Sequence, residues 1–492
     1  MLIKDLLIRQ RNNPKVAITC NGQRKTYRQL YRDAVNVSAI LHVKKASDAD
    51  NIGIFIPNSI EYALAYFSIT FLGKVIVPIP IHSKKMEVVS TADYCKLRTI
   101  ITLRKFQESL RTFFEGTSHS DIKIICLDEF MEKMPGRISH SPNPKVNETD
   151  TAILLHTSGT TSNPKKVMLS HRNLISNIES NIASLQLTAK DKTLIALPMP
   201  FGYCNTAQFL THIYLGASIT ILHGMFAPHK LFQTIQDEKI TNFTAVPSML
   251  LMLLTPELKN SNCDISSLRY VCFGGGIMPV AKLRKLIRAY PSIGFTHTYG
   301  QTEASPRLTC LLPKDSLTKL GSVGKPIPNV SIKIIASDGS EVTGQEAGEI
   351  LAAGRNIMKG YYNRPEETQK VIKNGWLHTG DLGRYDKDGY IYLVGRKKNI
   401  IISGGYNIYP EEIEELLMAH PRIKEAVVCG EPHAMLGEVP VAKIVLRDSK
   451  AEVSKRELID YCLTHLSNHK VPKKFDFFNE LEKTYNGKIK RT

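Results

Sequence analysis

"LLHTSGTTSNPKKVMLSH", Leu154–His171, sets five Ser or Thr hydroxyls, one Gly, one Pro and two Lys between two apolar runs. The run ending at Leu155 and the run "KVMLS" each read as a short strand, so the polar residues form the tip of a hairpin. Arg172 to Leu185 follows with Leu174, Ile178, Ile182 and Leu185 along one helical face. This order gathers hydroxyls, backbone N–H groups and ammoniums at one tip, and such groups hold phosphate oxygens through charge-assisted hydrogen bonds. The Walker pattern requires Gly, four residues, then Gly-Lys-Ser/Thr; counted from Gly159 it fails at Pro164. Taken by itself the loop is either a phosphate cradle or polar surface.

The same strand-helix alternation extends along most of the chain. "NIGIFIP" precedes the helical "SIEYALAYFSITFLG" and the strand "VIVPIP"; "SITIL", "ITNFTAV", "LRYVCFG" and "GFTHTYG" recur later with helical stretches between them. That rhythm predicts layered α/β units with largely parallel sheets. Near residue 315 the texture changes to short strands and tight turns, with Asp-Gly at 338–339 and 388–389 marking hairpins. After "GRKKNIIISGGYNIYP" a compact α+β module follows, with Pro410 opening the helix "PEEIEELLMAH". The expected fold is α/β: a large N-terminal domain, 1–397, of layered subdomains plus a small β unit at about 315–397, then a mobile C-terminal α+β domain, 398–492.

At 492 residues several structural units are required, and no apolar run is long enough to span a bilayer. The N-terminus mixes charge with Leu and Ile and lacks a signal-peptide cleavage site. Nine scattered cysteines without a CxxC pair point to free thiols, no zinc site and a cytoplasmic protein. From Asn399 onward 14 Lys plus Arg balance 14 Asp plus Glu, so the net charge of +18 resides in residues 1–398. There the basic residues are dispersed, without the interleaved aromatics of a nucleic-acid groove, which leaves a solvated basic surface or a polyanionic small ligand and argues against nucleic acid.

Three further segments change the reading of the opening loop. "YGQTEA" (Tyr299–Ala304), "WLHTGDLGRYDKDGYIYLVGRKKNIIISGGYNIYPEEIE" (Trp376–Glu414) and "NGKIKR" (Asn486–Arg491) join "TSGTTSNPKK" in an order and spacing that closely resemble the ANL superfamily of adenylate-forming enzymes. The resemblance implies ATP-dependent activation of a carboxylic acid to acyl-AMP with release of pyrophosphate, then transfer to a thiol. It implies that Thr157, Ser158, Gly159, Thr160, Thr161 and Lys165 embrace the β- and γ-phosphates. Tyr299, with Gly300 and Gln301, would face adenine, Thr302 the α-phosphate, and Glu303 Mg²⁺, a hard cation suited to carboxylate and phosphate oxygens. Gly274, Gly275 and Gly276 would permit close approach of a ligand. Asp381, an acceptor-only carboxylate, would take the ribose diol with Arg396 in support. Lys488 would bridge carboxylate and α-phosphate as a mobile point charge. The C-terminal domain would then turn about Lys398, bringing Gly404 and Gly405 to the thiol. Where the family usually has Gly, this chain has Ser162 and Lys166; Lys166 is expected to face solvent. His378 is expected to make a local hydrogen bond.

In amino-acid-activating relatives an Asp near residue 202 pairs with the substrate ammonium. Here Gly202 follows Phe201, so an ammonium would be buried unpaired. The resemblance therefore implies a hydrophobic non-amino acid of the fatty-acid kind. Its pocket would be lined by Phe201, Tyr203, Cys204, Val246 and Met249, positions that equally suit core. Coenzyme A or the phosphopantetheine arm of a carrier protein would accept the acyl group. The common aromatic-His pair is replaced by Pro200 and Phe201, which leaves the acceptor open. No carrier domain follows Thr492, so a stand-alone enzyme is expected.

Overall fold

A computed structural model of the chain describes residues 1–44, 46, 50–132, 144–156, 165–222, 224, 227–255, 262–276, 278–404, 406–448, 453–483 and 489–491. Two large sheets dominate residues 1–361. β1 (Val16–Cys20) and β2 (Gln23–Thr26) form an edge hairpin. β3 (Asn51–Ile54), β4 (Val75–Pro78), β5 (Thr99–Thr102) and β6 (Lys123–Cys126) run parallel with helices between them. β7 (Thr151–His156) then pairs antiparallel with β8 (Lys166–Ser170), which is the predicted hairpin, and the helix His171–Leu185 follows.

β9 (Lys192–Ile195), β10 (Ser218–Ile221), β11 (Asn242–Ala245), β12 (Tyr270–Phe273) and β13 (Gly294–Gly300) build the second parallel array. β14 (Arg307–Leu311) and β15 (Lys325–Pro326) extend it antiparallel, giving the order β15-β14-β13-β12-β11-β9-β10-β1-β2. Strands such as "TIIT" and "NFTA" are buried at every position, as expected where helices cover both faces of a parallel sheet. The helix Ile60–Phe71 is apolar nearly all round because its surroundings are protein; the Ser59 hydroxyl caps it by accepting from the Tyr62 N–H at 3.2 Å. One continuous apolar core joins both sheets, and a satellite core with Val77, Val88, Leu97 and Phe114 lies on the far face of the β3–β6 array.

β16 (Val330–Ile335), β17 (Gly348–Gly354), β18 (Gly360–Tyr361), β19 (Ile372–Lys373), β20 (Trp376–Tyr385) and β21 (Ile391–Arg396) fall in the β-rich stretch. Gly339 and Gly389 take the left-handed conformation at the turns where Asp-Gly predicts them. This unit is less self-contained than its sequence texture suggests. β15 belongs to the sheet of β14, and β18 pairs with β8, so two short strands stitch it to both large sheets. β22 (Ile401–Ser403), β23 (Tyr406–Ile408), β24 (Ile423–His433), β25 (Gly437–Leu446) and β26 (Lys474–Phe477) form a separate sheet. The helices Pro410–Ala419 and Lys455–His465 cover it around a core of Ile413, Leu417, Val428, Ile444, Leu458 and Phe475. Among the described residues no helix is long and apolar enough to cross a membrane.

Candidate active site

Asp381 and Arg396 lie directly opposite each other on β20 and β21, so their side chains share one face of the hairpin. Arg396 Nε donates to Asp381 Oδ1 at 2.7 Å, and the Tyr299 hydroxyl donates to Oδ2 at 2.8 Å. Tyr299 is next to last in β13, about 80 residues earlier, so the contact joins the large sheet to the β unit. Burial, with Asp381 next in effect, raises the Tyr299 phenol well above its ordinary range and keeps it a donor. Asp381 thus stands oriented from two sides. Gly300 must lack a side chain, because a Cβ there would lie 1.8 Å from the Pro306 carbonyl oxygen.

Glu303 is positioned by a second strand crossing. Its Oε1 accepts from the Tyr361 hydroxyl at 2.8 Å, and its carbonyl accepts from the Met358 N–H at 2.9 Å. Lys165 Nζ lies 4.7 Å from the centre of the Tyr361 ring and donates to Glu367 at 2.6 Å. Lys165 and Glu303, expected from the sequence to meet phosphate and metal, therefore flank one tyrosine. Tyr361 itself was not expected; its only sequence signal is an aromatic pair in "GYYN". Thr157, Ser158, Gly159, Thr160, Thr161 and Ser162 lie outside the described residues.

The expectation for Lys166 is overturned. Its side chain is not solvated: the residue is 1 % exposed and its Nζ meets His156 Nε2 across the β7–β8 pair. The strand register causes this, placing Lys166 on the same face as His156 and Met168, toward the satellite core. Burial lowers the Lys166 ammonium to about 8 and, with Lys166 next to it, holds the His156 imidazole well below its ordinary value. His378 makes the expected local contact, to Glu349 at 3.3 Å.

On the expected acid side, Tyr203 donates to or accepts from Thr298 Oγ1 at 2.7 Å, and Thr298 Oγ1 donates to the Phe273 carbonyl at 3.1 Å. A Cβ at Gly202 would lie 3.8 Å from Thr302 Cγ2, so residues 202–203 adjoin the Tyr299–Glu303 segment. At Gly274 a Cβ would meet the Thr298 carbonyl at 2.3 Å; the strand β13 requires this glycine, whatever ligand it faces. Gly275 and Gly276 border space that is open or in ordinary contact. Cys204 and Met249 are buried in the main core, while Phe201, Tyr203 and Val246 are partly exposed. From Asn205 to Leu210 the helix widens into π-helical turns, a form that recurs at functional sites. Sequence reading missed this, and also Arg307, whose guanidinium lies 5.9 Å from the Tyr203 ring.

At the C-terminal end, Lys398 stands between Arg396, bound to Asp381, and Asn399, whose amide donates to Glu411 Oε1 at 2.9 Å. Gly404 takes a positive φ and donates its N–H to the Leu436 carbonyl. Gly405 and Lys488 lie outside the described residues. On either side of the latter, Lys483 bridges Ile489, and Lys490 N–H donates to the Glu482 carbonyl.

These donors suit a nucleotide with magnesium. Asp381 retains lone pairs for a diol, Gln301 Nε2 is buried without a partner among the described residues, and Glu303 keeps a second carboxylate oxygen. The model of the AMP-binding enzyme family matches residues 8–362, and that of the AMP-binding enzyme C-terminal domain matches 412–488. The chain belongs to the AMP-binding enzyme family. It is an adenylate-forming ligase of the acyl-CoA synthetase kind, with the α/β architecture of that superfamily. A long-chain-fatty-acid–CoA ligase of Bacillus subtilis is 31 % identical over 97 % of this chain and 90 % of its own length. A 2-succinylbenzoate–CoA ligase of Bacillus velezensis is 33 % identical over 97 % and 94 %. The solved structure of the o-succinylbenzoate CoA synthetase of Bacillus subtilis, in complex with its acyl-adenylate intermediate, superimposes with a TM-score of 0.89. It is 30 % identical, covering 100 % of this chain and 97 % of that one.

Proposed function

We propose that the enzyme activates a non-amino carboxylic acid with ATP to acyl-AMP and then transfers the acyl group to coenzyme A. The observation that carries this reading is the convergence on Asp381 of Tyr299 from one sheet and Arg396 from another, at 2.8 and 2.7 Å. That arrangement fixes an acceptor for ribose before any ligand arrives, and preorganised positioning is the main tool for joining two anions. Solved relatives with AMP, or with ATP and magnesium, support the same cofactors here.

Lys165 and the loop before it hold the phosphates. Glu303 with Tyr361 holds magnesium, which when bound neutralises charge on the phosphate oxygens. Thr302 hydrogen-bonds the α-phosphate, and Lys488 draws the acid carboxylate to it. After adenylation, residues 398–492 turn about Lys398, Lys488 withdraws, and Gly404 and Gly405 come to the thiol. Phe201, Tyr203 and Val246 form the wall around an apolar acid body of the fatty-acid kind, with Cys204 and Met249 packed behind them. The fatty-acid ligase relative supports that chemistry, and the 2-succinylbenzoate ligases support an aryl acid. A cytoplasmic setting goes with nine free cysteines.

The test is acid-dependent exchange of labelled pyrophosphate into ATP across fatty, aryl, dicarboxylic and amino acids. Exchange with at least one non-amino acid is expected. A folded, nucleotide-binding protein that exchanges with none of them refutes the proposal. Coenzyme A compared with a holo carrier protein then identifies the acceptor.

A further inference from the structure

Lys165, at the end of the phosphate loop, already has a carboxylate partner. Its Nζ donates to Glu367 Oε2 at 2.6 Å and lies 4.7 Å from the centre of the Tyr361 ring. The other oxygen of Glu367, Oε1, accepts from Lys370 Nζ at 2.7 Å, one turn along the same helix. Two lysines therefore share a single carboxylate. Hydrogen bonds from Lys165 and then Lys370 hold it down to about 2, so Glu367 is ionised near neutral pH.

The fold places Glu367 there. The helix Pro365–Val371 opens on a proline, and Thr368 Oγ1 accepts from the Tyr361 N–H at 2.9 Å while donating to the Arg364 carbonyl at 2.9 Å. A Cβ at Gly360 would lie 2.7 Å from Thr368 Cγ2, so the helix packs directly on β18. β18 in turn pairs with β8, the strand that begins one residue after Lys165. Burial, then Glu303, then Glu367 raise the Tyr361 phenol, which stays protonated and donates to Glu303 at 2.8 Å. One ring thus stands between two carboxylates with different partners: Glu303 on its hydroxyl side, and Glu367, held by lysines.

A carboxylate beside residues that bind phosphate works against ATP unless its charge has a use. Glu303 has one in magnesium, whereas both oxygens of Glu367 are already taken by ammoniums. Pyrophosphate must leave once acyl-AMP forms, and product release limits the rate of many enzymes. A lysine that grips phosphate oxygens unopposed would delay that step. Its ammonium is a compact point charge on a flexible stem, with three donors that can be redirected from a phosphate oxygen to a carboxylate oxygen.

We propose that Glu367 is a positioning residue that competes with the β- and γ-phosphates for Lys165, so that it weakens the binding of ATP and pyrophosphate and hastens pyrophosphate release. AMP lacks those phosphates and stands outside the competition. This rests on the ligase reading of the preceding subsection, in which Lys165 meets phosphate.

The test is calorimetry of the full chain with magnesium-ATP, magnesium-pyrophosphate and AMP. Both partners of the Lys165–Glu367 pair are about a third exposed, and an exposed pair shifts an equilibrium by up to about fivefold. Glu367→Gln, which keeps the shape and removes the charge, should tighten ATP and pyrophosphate by about two- to fivefold and leave AMP unchanged. The KM for pyrophosphate in the exchange reaction should fall by a similar factor. In a Lys165→Gln background the same substitution should gain nothing, because the contested cation is gone; the general effect of removing one negative charge would persist there. The inference is overturned, with the ligase reading intact, if Glu367→Gln weakens ATP, leaves all three affinities unchanged, shifts ATP and AMP alike, or still tightens ATP without Lys165. Absence of acid-dependent exchange in the native enzyme refutes the ligase reading instead, and the calorimetry then still shows whether Glu367 competes for Lys165.

Discussion

Arg491 grips Glu414 with both ends of its guanidinium, Nη1 at 2.6 Å from Oε1 and Nη2 at 2.8 Å from Oε2. Nη2 also reaches Glu411 at 3.0 Å, and Glu411 Oε1 takes the Asn399 amide at 2.9 Å. The chain end that carries Lys488 is thereby fastened to the helix Pro410–Ala419, and that helix to the residue after Lys398.

Burial pushes the Glu414 carboxyl up to about 7, against the pull of Arg491 and of the Val428 N–H. Removing one partner of a buried ion pair costs about 3–5 kcal/mol, and Arg491→Ala is expected to lose that much stability. A carboxyl whose pKa is raised by folding favours the folded state at low pH, and the benefit disappears as pH rises through the folded value. Without Arg491 the raise is larger, so urea denaturation should find the deficit greater at pH 8 than at pH 5, and Glu414→Gln in the same background should recover part of it. An equal deficit at both pH values contradicts this account.

Asp381→Asn leaves the strand register intact but replaces a doubly held acceptor with an amide. Each hydrogen bond to a charged group is worth about 1.5–3 kcal/mol, so AMP affinity should fall roughly 10- to 100-fold. Isothermal calorimetry checks it; unchanged affinity would remove Asp381 from the nucleotide site.

Lys166 gives a pH signature of the opposite sign from an ordinary paired lysine. Its folded value, about 8, lies below the ordinary 10.5, so between those limits the unfolded chain binds more protons and stability rises with pH. Below pH 8 the penalty is fully present, on the order of 3 kcal/mol. Lys166→Met should therefore be more stable than the native chain at pH 7, with the difference shrinking toward pH 10. A constant difference would mean that the ammonium reaches water.

Lys488→Ala should reduce adenylation by about 10² or more, the scale of one transition-state donor, and spare thioester formation from supplied acyl adenylate. Equal loss of both half-reactions would contradict rotation about Lys398.

What sequence alone made legible follows from how local each feature is. The hairpin Thr151–Ser170 and the turns at Gly339 and Gly389 are set by neighbours in the chain, so local pattern sufficed there; Asp381 and Arg396 came from the family resemblance, and the structure pairs them on one hairpin. Lys166 was misjudged because lysine at a loop edge is ordinarily solvated; only its register opposite His156 turns it inward. Arg307, Tyr361 and the Arg491 clamp were invisible for another reason. Their partners lie 126, 58 and 77 residues away, and no local pattern encodes such contacts.

β18 is two residues long, yet it is the outer neighbour of β8. Around it, the N–H groups of Lys359 and Tyr362 donate to the carbonyls of Met168 and Lys166 at 3.0 and 2.8 Å. Without it β8, largely buried on both faces, would present a bare row of backbone groups, a template for pairing with another molecule. The residue that orients Glu303, Tyr361, is half of that cover. Loss of magnesium affinity and self-association should therefore arise together: Tyr362→Pro, which removes a donor to β8 beside Tyr361, is expected to raise light scattering on mild warming and to weaken magnesium binding, whereas Tyr361→Phe, which keeps the backbone, should weaken only magnesium binding.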